Sequence, residues 1–100
     1  MKYYITYGCG FGNRHEVVEA ETLKAAMDYA YECAVEEYQS YEGLHGVRDW
    51  CEIRDECEDD DEADELYQME VEDTIEYEAD VYDETNEDHM YAYNEGVREI

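Results

Sequence analysis

Carboxylates are the residues of this sequence whose number and spacing could carry chemistry. Asp and Glu account for 31 of the 100 residues against 6 Lys and Arg, so the formal net charge is −25. Carboxylates can bind divalent cations, act in pairs as general acid and base, or present a negative field to a basic partner. Their spacing in the chain decides among these kinds of chemistry.

Calcium binding would require a loop whose ligand positions are correctly spaced. An EF-hand loop beginning at Asp59 would place Ala63 at the third ligand position and Asp64 where the motif requires glycine. We therefore expect loose surface binding of divalent cations, no dedicated metal site and no cofactor. Acid–base catalysis needs two carboxyl groups in different environments. The sequence marks no such pair, so we predict that the protein is not an enzyme.

The four cysteines and three histidines are the other candidate metal ligands. Zinc sites usually contain a Cys-x2–4-Cys pair, whereas the closest pair here, Cys51 and Cys57, encloses five residues. We interpret the cysteines as reduced thiols; a disulfide, a metal site and a Cys–His nucleophile pair remain alternatives. Reduced thiols and the absence of a recognisable signal peptide predict a cytoplasmic protein.

The net charge excludes several classes of partner. Six Lys and Arg residues are too few for a basic surface, so we expect no direct nucleic-acid binding. The charge also opposes adsorption to an anionic membrane, and no apolar run approaches the roughly 20 residues of a membrane span. Solubility of a small domain needs a net charge of only about 2–8, and the excess lowers stability by self-repulsion. We therefore expect the acids to serve recognition, and added salt to stabilise the fold.

A single α+β domain over residues 1–100 is predicted to position these acids. Residues 2–8 and 15–21 favour the strands of an N-terminal β-hairpin, joined by the glycine-rich turn Gly8-Cys9-Gly10-Phe11-Gly12-Asn13. A long amphipathic helix follows, in which Thr22 can cap the start and Gly43 the end. Its apolar stripe recurs every three or four residues and comprises Leu23, Ala26, Met27, Ala30, Ala34, Tyr38 and Tyr41.

One or two short helices are predicted next. Trp50, Ile53 and Cys57 have helical spacing, although Val47, Cys51 and Ile53 could instead alternate in a strand. Asp59, Asp60 and Asp61 can begin a further helix, because acids in a first turn favour the positive end of the helix dipole. The apolar positions of that helix are Ala63, Leu66, Tyr67 and Val71.

After Asp73 the apolar period changes to two, which is typical of a half-buried strand. This strand is predicted to complete a small antiparallel sheet, with the helices packed on one face. One face of the strand carries Ile75, Tyr77, Ala79 and Val81, and the other carries Glu76, Glu78 and Asp80. The sequence does not decide whether residues 83–100 form an irregular segment, a loose strand or a helix. The predicted core residues are Leu23, Met27, Trp50 and Ile75.

The acids of the second half form the predicted partner-binding surface. Residues 51–100 carry 22 acids and 2 bases, whereas residues 1–50 carry 9 and 4. Alternate residues of a strand lie about 6.6–6.8 Å apart, and helical residues four apart lie at about 6 Å, distances similar to those between neighbouring phosphates. Interleaved tyrosines are expected to contact arginines of a partner: Tyr67, Tyr77, Tyr82, Tyr91 and Tyr93. The predicted binding residues are Asp59, Asp60, Asp61, Glu62, Glu65, Glu76, Glu78 and Asp80.

A small chain of charge −25 with interleaved acids and tyrosines resembles phage-encoded anti-defence proteins that mimic nucleic acid, such as anti-CRISPR proteins and antirestriction DNA mimics. The resemblance is one of charge and size and includes no alignable motif, so it assigns no role to any residue. It implies an inhibitor that occupies the basic DNA- or RNA-binding groove of a CRISPR effector or another defence nuclease in the host bacterial cell. The alternative is an acidic protein-interaction or divalent-cation-binding module without mimicry. The sequence does not decide whether the protein is a monomer or a homodimer.

Overall fold

The computed structural model describes residues 1–10, 12–42 and 47–100. The elements in this part of the chain are β1 (Lys2–Gly8), β2 (Asn13–Glu19), α1 (Leu23–Ser40), α2 (Trp50–Asp55), α3 (Asp60–Thr74), β3 (Glu76–Val81), α4 (Glu87–Glu95) and β4 (Val97–Glu99). They confirm the predicted α+β class, with its hairpin, long helix, shorter helices and later strand. The helix stop predicted at Gly43 lies outside the described residues.

The strands form a mixed sheet in the order β3-β1-β2-β4. The central strand β1 pairs antiparallel with β2 and β3, so that Ile5 lies between Glu16 and Ala79. The short strand β4 pairs parallel with β2, which the sequence analysis did not predict. Gly10 and Gly12 have positive φ angles of 90° and 121° in the turn between β1 and β2. Glycine adopts such angles without the steric cost that other residues bear, which explains the glycine-rich hairpin.

Helix α1 packs on one face of the sheet through a stripe of small residues. Thr22 caps the helix, since its hydroxyl oxygen accepts the N–H of Ala25 at 3.1 Å. The residues at intervals of four that follow are buried: Ala26, Ala30, Ala34 and Tyr38. Because alanine side chains are short, the helix lies close to the sheet. Ala26 and Ala30 form one hydrophobic core cluster with the sheet residues Tyr3, Ile5, Val18 and Ala79 and with Ala20, which directly follows β2.

The prediction that Leu23 belongs to the core is wrong. Leu23 is the first residue of α1, directly after the cap, and its side chain is 45% exposed. Of the other predicted core residues, Ile75 is buried, whereas Met27 and Trp50 are half-buried. The helical stripe therefore begins one turn later than its first apolar residue suggests.

Helices α2 and α3 form a hairpin in which short polar contacts supplement a small apolar contact. Ile53 and Ala63 are buried, and the indole N–H of Trp50 donates to Asp64 Oδ1 at 2.7 Å. Arg48 forms ion pairs with both Glu56 and Glu70. The helical interpretation of this segment is confirmed, and the alternative of a strand through residues 47, 51 and 53 is wrong.

Residues 83–100 contain α4 and β4 and are therefore not irregular. Successive strand side chains point to opposite faces, so Tyr4 lies on the face opposite to Ile5. The ring of Tyr4 stacks on His89 of α4, with a centroid distance of 4.0 Å. Helix α4 thus covers the second face of the sheet, which corrects the expectation that all helices pack on one face.

Candidate functional site

Five of the eight predicted binding residues lie at the start of α3, and we call them the helix-start acids: Asp59, Asp60, Asp61, Glu62 and Glu65. Asp59 is the N-cap, and its Oδ1 accepts the N–H of Glu62 at 2.8 Å. Asp60 Oδ1 accepts from Arg54 Nε at 2.6 Å. Glu62 Oε2 accepts the backbone N–H of Glu58 at 3.3 Å. All five are exposed, but three of them therefore also accept hydrogen bonds at the start of α3.

The other three, Glu76, Glu78 and Asp80, form what we call the acid ladder on β3. They are exposed, whereas Ala79 on the opposite face of the strand is buried. Within the described residues, none of the three carboxylates has an ion-pair or hydrogen-bond partner. Pairing with β1 places them beside Gly8, Thr6 and Tyr4. The acid ladder therefore presents to solvent three carboxylates that form no ion pair within the described part of the chain.

The structure separates these eight acids into two groups rather than one patch. From Glu65, the last of the helix-start acids, helix α3 continues for nine more residues to its end at Thr74, which at about 1.5 Å rise per residue is about 14 Å. This exceeds the Debye length of about 10 Å at 0.1 M salt. A partner that contacts both groups must therefore be extended.

The lysine and arginine side chains of this protein are paired with its own acids. Each of the six Lys and Arg side chains lies in the described part of the chain, and each has a carboxylate partner. The pairs are Lys2–Glu19, Arg14–Glu37, Lys24–Asp28, Arg48 with Glu56 and Glu70, Arg54–Asp60, and Arg98–Glu16. Most of the 31 carboxylates have no such counterion among the described residues, so the negative field is uncompensated over most of the surface.

The predicted contact tyrosines have two different environments. Tyr77, Tyr91 and Tyr93 are exposed, Tyr91 by 63%. Tyr67 instead packs edge-on against Tyr38 and donates its hydroxyl proton to Glu42. Burial, followed by the Glu42 contact, raises the pKa of Tyr67. Tyr67 therefore helps to join α3 to α1, and the exposed tyrosines are the ones that a partner can reach.

An aromatic cluster that the sequence analysis did not identify holds α4 on the sheet: Tyr4, His15, His89 and Tyr91. His89 is buried, stacks on Tyr4 and accepts the backbone N–H of Asp83 at Nδ1 over 2.9 Å. This bond places the proton of the neutral imidazole on Nε2. His15 lies between Tyr4 and Tyr91, with ring centroids at 5.9 and 5.6 Å. The one sequence signal for the cluster is the pair of ring side chains at residues 89 and 91.

Replacement of His89 by alanine is expected to lower the free energy of unfolding by about 1–3 kcal/mol, because it removes the acceptor of a buried N–H and the stacked ring. Amide hydrogen exchange of residues 87–95 should accelerate. His89→Asn retains an acceptor for the Asp83 N–H, so its free energy of unfolding should lie between those of the parent protein and His89→Ala. Met90→Ala, at a side chain of α4 that is 45% exposed and outside the cluster, is the control and should change stability by less than His89→Ala. Equal exchange rates in α4 of the parent and His89→Ala would contradict this role.

A cleft of about 560 Å³ at the side of the sheet is lined by charged residues that pair with one another. Glu16 accepts from the Tyr7 hydroxyl at 3.4 Å and from Arg98 Nε at 3.1 Å. Burial, followed by the negative charge of Glu16, raises the pKa of Tyr7 to about 12. Tyr7 therefore remains protonated near neutral pH and cannot act there as a base. Among the described residues, His, Cys, Asp and Glu side chains form no group of three suited to a metal ion.

Comparisons of the chain with protein-family models, curated proteins and solved structures found no match. Among the helices of the described residues, none has both the length and the apolar character needed to cross a membrane. The charged surface and its geometry are therefore the features of the molecule that bear on its function.

Proposed function

We propose that this protein is an inhibitor that mimics nucleic acid and occupies the basic DNA- or RNA-binding groove of a CRISPR effector or another defence nuclease. The observation that carries the proposal is the charge per unit length. The molecule measures 52 × 26 × 18 Å and has a net charge of −25, or one negative charge per about 2 Å of its long axis. Duplex DNA carries one per about 1.7 Å.

The position of the acids on regular elements supports the same proposal. The acid ladder lies on β3, which is paired along its length with β1 and packed against α1. Alternate strand residues are held about 6.6–6.8 Å apart. Because these backbone positions are already ordered, a basic groove can bind them with a smaller loss of conformational entropy than a flexible acidic tail would incur.

The exposed tyrosines and the locally paired cations add to this argument. Tyr77, Tyr91 and Tyr93 are exposed, so arginine guanidinium groups of a groove, which bind aromatic rings favourably, can contact them. Basic side chains of a groove would meet few competing cations, because the six Lys and Arg residues are already paired with carboxylates of the chain.

Displacement of nucleic acid from purified nucleases tests the proposal. A panel of guide-loaded CRISPR effectors and restriction endonucleases is bound to fluorescent target duplex, and the full-length protein is added at increasing concentration. At least one enzyme should release its duplex, and the protein should compete with the duplex for the same binding groove. The apparent affinity should fall by tenfold or more between about 50 and 200 mM salt, as phosphate-like contacts require.

Two other results would favour a different function. Binding to an enzyme without displacement of duplex would indicate an acidic interaction module and overturn the mimicry. Saturable calcium uptake by calorimetry, with no displacement from any enzyme, would indicate a cation-binding module. Failure to bind any nuclease in the panel also counts against the proposal.

A further inference from the structure

The outer edge of β3 is a strand edge that is open to another chain. β3 is the terminal strand in the order β3-β1-β2-β4, and within the described residues no strand pairs with its other side. Such an edge presents a row of backbone donors and acceptors that a second strand can bind. Which groups point outward follows from the pairing with β1.

Hydrogen-bonded and non-hydrogen-bonded pairs alternate along an antiparallel ladder. The N–H of Tyr82 donates to the carbonyl of Lys2 at 3.0 Å, which makes Tyr82 and Lys2 a hydrogen-bonded pair. In the register of β3 with β1, every second residue before Tyr82 is an acid-ladder residue. The acid-ladder residues are therefore also in hydrogen-bonded pairs, and their backbone groups point to β1. The backbone N–H and C=O groups that point outward are those of Tyr77, Ala79 and Val81.

The two faces of this open edge differ in chemistry. One face carries the acid ladder, without a counterion among the described residues. The other carries the rings and methyl groups of Tyr77 and Val81, which are 38% and 50% exposed. An added strand would therefore meet carboxylates with every second side chain and apolar surface with the side chains between them.

A second copy of this chain does not suit the edge. Pairing β3 with another β3 would place carboxylates beside carboxylates, and like charges opposite one another destabilise a sheet. Two bodies of charge −25 also repel each other at long range. The same carboxylates attract Lys and Arg. They therefore oppose self-association while leaving the edge available to a basic strand.

We infer that β3 binds, by β-strand addition, an extended segment of a partner protein in which Lys or Arg alternates with apolar residues. The segment would donate to and accept from the outward backbone groups of Tyr77, Ala79 and Val81. Its basic side chains would contact the acid ladder, and its apolar side chains would contact Tyr77 and Val81. This inference rests on the proposed function in one respect, that the partner is a basic protein.

Amide hydrogen exchange of the full-length protein tests the inference. The probe is the capped peptide Lys-Val-Lys-Ile-Lys-Val-Lys, and the control is the same composition in blocks, Lys-Lys-Lys-Lys-Val-Ile-Val. The alternating peptide should slow exchange at the amides of Tyr77, Ala79 and Val81 by about tenfold or more. The block peptide has equal charge and should leave these amides unprotected. Methylation of the backbone nitrogens of the alternating peptide should abolish the protection.

A proline at residue 81 provides a second, independent test. Val81→Pro removes an outward N–H and no hydrogen bond to β1, and proline is tolerated at such edge positions. It should weaken binding of the alternating peptide, whereas Val81→Thr, which keeps the N–H and the branched Cβ, should not. Circular dichroism of each variant checks the fold. If Val81→Pro does not fold, the comparison of peptides decides alone.

The possible results separate this inference from the proposed function. Equal binding of the two peptides without protection of the three amides would show contact by charge alone. It would overturn the inference while leaving the mimicry intact. Protection by the alternating peptide, together with failure to displace duplex from any nuclease, would support the inference and reject the mimicry. Protection of the three amides in the peptide-free protein, with a dimer in sedimentation, would show that a second copy covers the edge and would overturn the inference.

Discussion

Replacing Ile5 with alanine is expected to lower the free energy of unfolding by about 2–5 kcal/mol. Ile5 is fully buried in the central strand β1, between α1 and the strands on either side. Its neighbours in the core cluster include Ala26, Ala30 and Ala79, whose short side chains cannot extend into the space that the isoleucine vacates. Small domains are stable by only about 5–15 kcal/mol. The variant should therefore be partly unfolded at low salt, where self-repulsion is strongest.

Urea titration by circular dichroism at fixed ionic strength measures this effect, and two substitutions serve as controls. Ile5→Val removes one methylene group and should cost about 0.5–1.5 kcal/mol. Leu23→Ala, at a side chain that is 45% exposed, should change stability by no more than about 0.5 kcal/mol. A cost for Leu23→Ala equal to that of Ile5→Ala would contradict the position of the core described above.

The sequence predicts α1 well because its signal is local. Alanine and tyrosine recur at intervals of four, and Thr22 provides an N-cap at the correct position. Burial of one helix face requires this period, so the pattern gives both the helix and the face that packs on the sheet. The exposure of Leu23 could not be predicted in this way, since the period does not show where the sheet beneath the helix begins.

The sequence does not decide that residues 87–95 are helical, because only one of the two buried residues of α4 is apolar. His89 and Ala92 are its buried residues. His89 is buried because Tyr4 supplies a stacked ring and Asp83 supplies a hydrogen bond. Both partners depend on the sheet having formed. The parallel pairing of β4 with β2 is likewise a contact between distant parts of the chain, which no local pattern indicates.

The sequence identifies the acids but not their arrangement. Alternation in residues 75–81 places Glu76, Glu78 and Asp80 on one strand face, and the structure agrees. The length of α3 then separates them from the helix-start acids, which no count of charges could indicate. Nor could the sequence show that Asp59 and Asp60 have structural contacts, since Arg54 and the N–H of Glu62 become partners only when the helices form. The role of all eight acids in binding stays a prediction.

Reversal of the acid ladder, Glu76→Lys with Glu78→Lys and Asp80→Lys, is expected to weaken binding to the displaced nuclease by about 100-fold at moderate salt. Each carboxylate that faces a basic groove contributes roughly 1 kcal/mol, and three such losses amount to about two factors of ten in affinity. Thermal stability should rise slightly, because the three lysines relieve like-charge repulsion and also suit an exposed strand edge. Binding is measured by duplex displacement, and stability is measured by thermal denaturation.

A matched variant separates the position of the charges from their number. Glu21→Lys with Glu32→Lys and Glu84→Lys alters three exposed acids outside both acidic groups and gives the same net charge as the reversed ladder. If the ladder is the contact surface, this variant should lose less than about tenfold in affinity, through the long-range field alone. Equal losses in the two variants would show that the nuclease responds to net charge. Lower stability of the ladder variant with unchanged binding would assign these acids to the fold instead. Because the two variants differ only in where the lysines lie, any difference in affinity measures the contribution of the ladder itself.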